Sequence, residues 1–155
     1  MEQFKVKDPD FEKRVRDSFA RQGFMDFIGA QITAVEPGYC EIQIPYRHEL
    51  TQQHGYFHAG IIGTVADNVG GYAAFTLMEA TSSILTVEYK INFLSPGRGE
   101  LLIGRGRVIK PGKTITLCRC DVFVIDNAVE RHCAAAQMTL MNMQNAPDAP
   151  QHMKP

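Results

Sequence analysis

The longest apolar segment of the chain, HAGIIGTVADNVGGYAAFTLM, runs from His58 to Met78. Ile61, Ile62, Val65, Val69, Ala73, Ala74, Leu77 and Met78 fall on several faces of a helix rather than on one stripe, so the pattern predicts a helix surrounded by protein. Gly60, Gly63, Gly70 and Gly71 each disfavour a helix by about 1 kcal/mol relative to alanine, and their number predicts close approach of other backbones. On either side the period changes to that of strands. AQITAVEPGYCEIQIPY alternates around Pro37 and Gly38 and predicts a hairpin. SSILTVEYKINFL alternates with Leu85, Val87, Tyr89, Ile91 and Phe93 on one face and predicts a long strand. ELLIGRGRVIK, TITLCRCDVFVI and AVERHCAAAQMTLMNM follow as three further strands, with turns at Pro111-Gly112-Lys113 and Asp126-Asn127, so an antiparallel meander is expected. The run Ala134 to Ala136 leaves a helix open as the alternative for AVERHCAAAQM. Upstream, DPDFEKRVRDSFARQGFMDFIG predicts a short amphipathic helix that starts near Asp8-Pro9 and ends at Gly23.

These elements assemble into an α+β architecture, a curved antiparallel sheet wrapped around one long central helix. A chain of 155 residues holds one domain with a genuine core and is too short for two ordinary ones. The domain is expected over residues 1–143, with the N-terminal helix included, and the Pro-rich, polar residues 144–155 form a flexible tail. One chain cannot easily cover both the sheet edges and the helix, so pairing of copies through edge strands is expected.

Composition narrows the partners. A formal net charge of −1 gives no global attraction to nucleic acid or to an anionic membrane, and neither is expected as a partner. The four glycines, Asp67 and Asn68 argue against the apolar helix as a membrane span of about 20 residues. The charged opening MEQFKVKDPDFEKRVRDSF does not read as a secretory signal. Cys40, Cys118, Cys120 and Cys133 show no CxxC spacing and read as small core residues in a reducing, cytoplasmic compartment.

The candidate chemistry centres on Asp67, an acid in the middle of an otherwise apolar helix. An ionised group left unpaired there is costly, so it either serves chemistry, caps a neighbouring loop, or pairs with an arginine across an interface. His48, His54 and His58 lack HExxH, a nearby carboxylate at ligand spacing and a Cys pair, so no metal is expected. GxSxG is absent, which disfavours a serine hydrolase.

His58-Ala59-Gly60 at the start of the helix, with Asp67 seven residues after Gly60, resembles the signature of the hotdog-fold acyl-CoA thioesterases, especially the phenylacetyl-CoA type. That signature is His-Gly-Gly followed at a fixed distance by an acid. The likeness continues through Gln52 and Gly55 in the preceding loop, TVEYKINFLSPGRGE, and GRVIKPGKTITLCRCDVF. Two positions depart from it: Ala59 stands for the first glycine, and Gln52 or Gln53 for the usual asparagine. The resemblance implies that Asp67 acts across a dimer interface, as general base toward water or as the nucleophile itself. It also implies that Thr86 helps to hold the water, and that the residue at Ala59 offers its N–H to the thioester carbonyl. Unpaired N–H groups of Ala59 and Gly60 at the helix N-terminus would form the oxyanion site. His58, Gln52 and Gly55 are assigned to substrate positioning. Arg98, Lys110 and Lys113, with Arg105 or Arg107 as further positions, are the cations available to the phosphates of coenzyme A. Phe57, Val65, Val69 and Tyr72 are expected along the acyl channel. No cofactor is expected, since coenzyme A belongs to the substrate. The assembly is expected to be a homodimer or a dimer-of-dimers tetramer. Thioester hydrolysis of a medium- or long-chain or aryl acyl-CoA is thus the expected activity. A hotdog enoyl-CoA hydratase or dehydratase and a non-catalytic acyl-CoA sensor are the alternatives.

Overall fold

The computed structural model describes residues 4–149. Helix α1 (Phe11–Phe19) and the single-turn helix α2 (Gly23–Phe27) precede a hairpin of β1 (Gln31–Glu36) and β2 (Tyr39–Pro45). A 3-10 turn at His48–Leu50 leads to α3 (Ala59–Phe75), which is followed by β3 (Ser83–Phe93), β4 (Leu101–Lys110), β5 (Ile115–Asp126) and β6 (Val129–Met143). The strands form one antiparallel sheet in the order β1-β2-β4-β5-β6-β3. With α3 packed across it, this is the hotdog architecture.

Two expectations are corrected. The single N-terminal helix is two, because Gln22 is extended (φ −81°, ψ 94°) and Gly23 opens the second helix instead of ending the first. The meander holds for β4, β5 and β6, whereas β3 pairs with β6 and so stands at the far edge of the sheet rather than beside β4. The strand expected at AVERHCAAAQMTLMNM forms as β6, which opens at Val129 after Ala128 in the turn, and the helical alternative does not form. The small buried side chains Cys133, Ala134 and Ala136 belong to that strand.

Close contact fixes α3 on the sheet. A Cβ added at Gly106 would lie 2.1 Å from the Val69 carbonyl oxygen, and one at Gly104 would lie 2.8 Å from Val65 Cγ2. The helix contributes Gly70, where a Cβ would meet Met138 Sδ and Cys120 Sγ. Gly71, by contrast, has open space within 4 Å of the same position, so it is not a packing glycine. The C-terminal end of α3 is held by Arg14 of α1. Its guanidinium donates to the carbonyls of Phe75, Met78 and Glu79, at and just beyond the end of the helix, at 3.1, 2.8 and 2.8 Å. Asp8 pairs with the same guanidinium at 2.8 Å.

Gly106→Ala must push α3 off the sheet and is expected to destabilise the fold by about 3 kcal/mol or more. Gly71→Ala meets nothing and is expected to stabilise α3 by about 0.5–1 kcal/mol. Urea unfolding midpoints that move in opposite directions for the two variants are the expected result.

Candidate active site

The N-terminus of α3 is built by the loop before it. His58 is the N-cap, with φ −62° and ψ 141°, and its Nδ1 accepts the Gly60 N–H at 2.9 Å. The ring therefore acts as the helix cap. His58 N–H donates to the Leu50 carbonyl and Phe57 N–H to the Gly97 carbonyl, which anchors the loop on both sides. Gln52 closes the turn: its Oε1 accepts the His54 N–H, and its backbone pairs with Tyr56 and Gly55. Gly55 takes φ +79°, a left-handed conformation that suits glycine. Two donors were assigned to the oxyanion site from the sequence, but His58 occupies that of Gly60. Among the described residues no acceptor faces the Ala59 N–H, which is left as the available donor at the positive end of the helix. An open cavity of about 430 Å³ adjoins it, lined by Gln52, Phe57, Ala59, Phe93 and Leu94 among others.

Asp67 lies two turns further on, about 12 Å along the helix axis. It is half-buried, not sealed in apolar surroundings as the sequence pattern implied, because this part of α3 borders a cavity of about 540 Å³ rather than more protein. Thr86 Oγ1 donates to Asp67 Oδ1 at 2.7 Å. Among the described residues no basic side chain forms an ion pair with Asp67. Asn68 Nδ2 bonds back to the Thr64 carbonyl at 3.1 Å and leaves the carboxylate to Thr86.

The contact between Thr86 and Asp67 depends on a β-bulge. The pairing of β3 with β6 shifts between Thr86 and Glu88. Ile84 packs on the core and Thr86 bonds α3, so the even-numbered positions face the helix before the shift. After it, Tyr89 lies against Gly63 and Ile91 packs on the core, so the odd-numbered positions do. Regular alternation through Leu85, Val87 and Tyr89, as the sequence pattern implied, would have turned Thr86 away from Asp67. The extra residue re-aims the hydroxyl, a common use of bulges next to functional sites.

Other predicted residues are more dispersed. Arg98 precedes β4, and its Nε is 3.9 Å from Asp126 Oδ2. Lys110 and Lys113 lie at the opposite end of β4, about 30 Å away along the strand. One chain therefore does not gather them into a single patch. Arg105 is held by Glu41 at 2.9 Å and by both oxygens of Glu130 at 2.8 and 2.7 Å, so it is committed to the sheet surface. Arg107 lies over the Tyr39 ring. Burial pushes the thiols of Cys40 and Cys118 up to about 12 and that of Cys133 up to about 11, while Cys120 is raised by the same cause. They are poor nucleophiles at neutral pH. No group of three His, Cys, Asp or Glu side chains suited to a metal occurs among the described residues. No described helix is long and apolar enough to cross a membrane.

Sequence reasoning missed the far wall of the Asp67 cavity. Gly71 follows Asp67 by four residues and so shares its helix face, a spacing that could have revealed it. Ser18, Arg21 and Gln22 close the cavity from the N-terminal side, and the Gln22 amide donates to Tyr72 Oη at 2.7 Å. The segment Ala146–Ala149, expected as flexible tail, also lines the cavity, with Asp148 bound to Arg21 at 2.6 Å. Residues 150–155 of the tail lie outside the described residues.

Comparison with known proteins places this arrangement in a family. Residues 54–130 match the model of the Thioesterase superfamily. A crystal structure of a thioesterase family protein from Silicibacter pomeroyi is 46% identical, with a TM-score of 0.86 and coverage of 86% of this chain and 98% of that one. A candidate esterase of Saccharolobus solfataricus is 38% identical over 96 residues, 61% of this chain and 67% of its own length. Acyl-coenzyme A thioesterase 13 of Homo sapiens is 27% identical over 84 residues, 54% of this chain and 58% of its own length. The chain belongs to the thioesterase superfamily.

Thr86→Val keeps the branched shape and removes the donor to the carboxylate. Loss of one charge-assisted hydrogen bond predicts a fall of about 10- to 100-fold in kcat/KM for thioester hydrolysis, with Thr86→Ser close to wild type. Steady-state kinetics beside a thermal melt that stays in place for both variants would check it.

Proposed function

We propose that this chain is an acyl-CoA thioesterase acting on a medium- or long-chain or aryl acyl group, with its active site completed by a second copy. The observation that carries this reading is the half-buried Asp67 carboxylate, oriented by Thr86 at the edge of a cavity and without a cationic partner among the described residues. A carboxylate so placed can take a proton from water as that water attacks the thioester carbonyl, or it can attack the carbonyl itself and form a mixed anhydride. In either route the carbonyl oxygen gains charge that an N–H donor must meet, and Ala59 supplies one. Collapse of the tetrahedral species expels coenzyme A as its thiolate, and on the second route water then cleaves the anhydride to release the free acid and restore the Asp67 carboxylate. The name of the human relative, an acyl-coenzyme A thioesterase, supports the substrate class.

The geometry of β3 supports the dimer. As an edge strand of 11 residues it offers a backbone that is unpaired on one side among the described residues, and Leu85, Val87, Tyr89 and Phe93 on it are all more than 40% exposed. Such an edge is a template for another strand. The Ala59 cavity touches β3 at Phe93 and the Asp67 cavity touches it at Thr86, about 23 Å apart along one strand. Antiparallel pairing of two β3 strands about their middle would bring the Asp67 cavity of each copy beside the Ala59 cavity of the other. The same pairing would carry the Arg98 end of one chain toward the Lys110 and Lys113 end of the other, where the phosphates of one coenzyme A could meet them. His58, Gln52 and Gly55 then shape the loop that presents the Ala59 N–H, and a tetramer would be a further pairing of such dimers.

Thiol release from a panel of short, medium, long and aryl acyl-CoAs tests the proposal against the hydratase and sensor readings. Asp67→Asn should lower turnover by about 10²- to 10⁴-fold with the fold intact, the range for loss of a positioned base. Unchanged turnover would remove Asp67 from the mechanism. Enoyl-CoA absorbance changes without thiol release would favour a hydratase, and ligand-dependent thermal stabilisation without any turnover would favour a sensor.

A further inference from the structure

We infer that the chain segment Ala146–Ala149, latched by Arg21, forms the end wall of the acyl cavity and sets the length of acyl group that the enzyme accepts. This rests on the acyl-thioester reading above. The cavity begins at the polar trio Asp67, Asn68 and Thr86, where the thioester reacts, and extends over Gly71, one helical turn further along α3. Gly71 has no atom within 4 Å of the place where a Cβ would stand, so the floor there is open to a ligand. Tyr72, Gln22 and Ser18 also line it, as do Ala146, Pro147, Asp148 and Ala149 of the C-terminal segment.

The volume of about 540 Å³ exceeds the roughly 150 Å³ that holds a benzene molecule, so volume alone does not limit the acyl group to a small one. Its extent is bounded by where the end wall stands. That wall is not part of the sheet, since β6 ends at Met143 and Pro147 has no N–H to extend a ladder. What holds the wall is Arg21, whose Nη2 donates to Asp148 Oδ2 at 2.6 Å and to the Asp148 carbonyl at 2.7 Å. The guanidinium is itself fixed by a bond from Nη1 to the Asp17 carbonyl at 2.9 Å. Both ends of the ion pair are partly exposed, at 43% and 31%. Salt screens such a pair, so the latch holds the wall yet can release it.

The test is the acyl-chain profile of kcat/KM for four proteins: wild type, Arg21→Ala, Gly71→Leu, and a chain ending at Asn145. Freeing or removing the wall is expected to move the optimum to longer chains, with about a tenfold gain in the ratio of long to medium substrates, carried by KM rather than kcat. Arg21→Lys should restore part of the wild-type profile. Gly71→Leu fills the floor and should move the optimum to shorter chains. Should the truncated chain fail to fold, Arg21→Ala in the full chain carries the same prediction. A wild type that hydrolyses acyl-CoAs while both Arg21→Ala and the truncated chain keep its optimum overturns the end wall and leaves the thioesterase reading standing. A wild type that releases no thiol from any acyl-CoA overturns the reading and the inference with it.

Discussion

The closeness of one helix to one strand governs the rest of the structure. At Gly106 the β4 backbone meets the Val69 carbonyl of α3 with no room for a methyl group, and one turn earlier Gly104 receives the side chain of Val65. Close-packed interiors transmit such constraints because their parts cannot drift independently. Seated there, and clamped at its C-terminal end by Arg14, α3 has no freedom to rotate about its axis. Val65, Val69 and Tyr72 go to the core, and Asp67 is turned toward the start of β3. The carboxylate owes its direction to glycines on a strand that does not touch it.

The other side of the site is set by the edge of the sheet. A long, apolar and unpaired strand is normally a liability that proteins blunt with charge or cover. Among the described residues β3 is left open on one side, with its bulge at the position that turns Thr86 toward Asp67. The two features belong together. In the proposed dimer this edge would become the middle of a larger sheet, and the bulge would sit at the seam between the two chains.

Much of this was legible in the sequence. The all-round apolar pattern with four glycines gave α3 nearly to its ends, and Asp67 stood out as the one acid within it. Strand periods found the other elements, including β6, where strand pairing with β5 and β3 prevailed over the alanine-rich helical alternative. What was not legible depends on contacts between distant residues. Nothing local says that β3 pairs with β6, forty to sixty residues later, instead of with the next strand. A bulge cannot be read from alternation, because the alternating residues Leu85, Val87 and Tyr89 are apolar on either side of it. The capture of the Gly60 N–H by His58 is a side-chain choice between two neighbouring donors. The bond from Arg21 to Asp148 joins residues from opposite ends of the chain.

The central claim is that each active site joins Asp67 of one chain to Ala59 of another, and subunit mixing tests it most directly. Ala59→Pro deletes the proposed donor at little cost to the helix, since proline suits the first helical position and His58 already has the extended conformation that must precede it. Alone, Ala59→Pro and Asp67→Asn should each be nearly inactive. Dissociated and reassociated together, they should form mixed dimers in which one of the two sites has both groups intact, restoring about a quarter of wild-type turnover for random pairing. A mixture that exchanges subunits, as shown by a tagged copy, and stays as inactive as its parents would contradict the shared site.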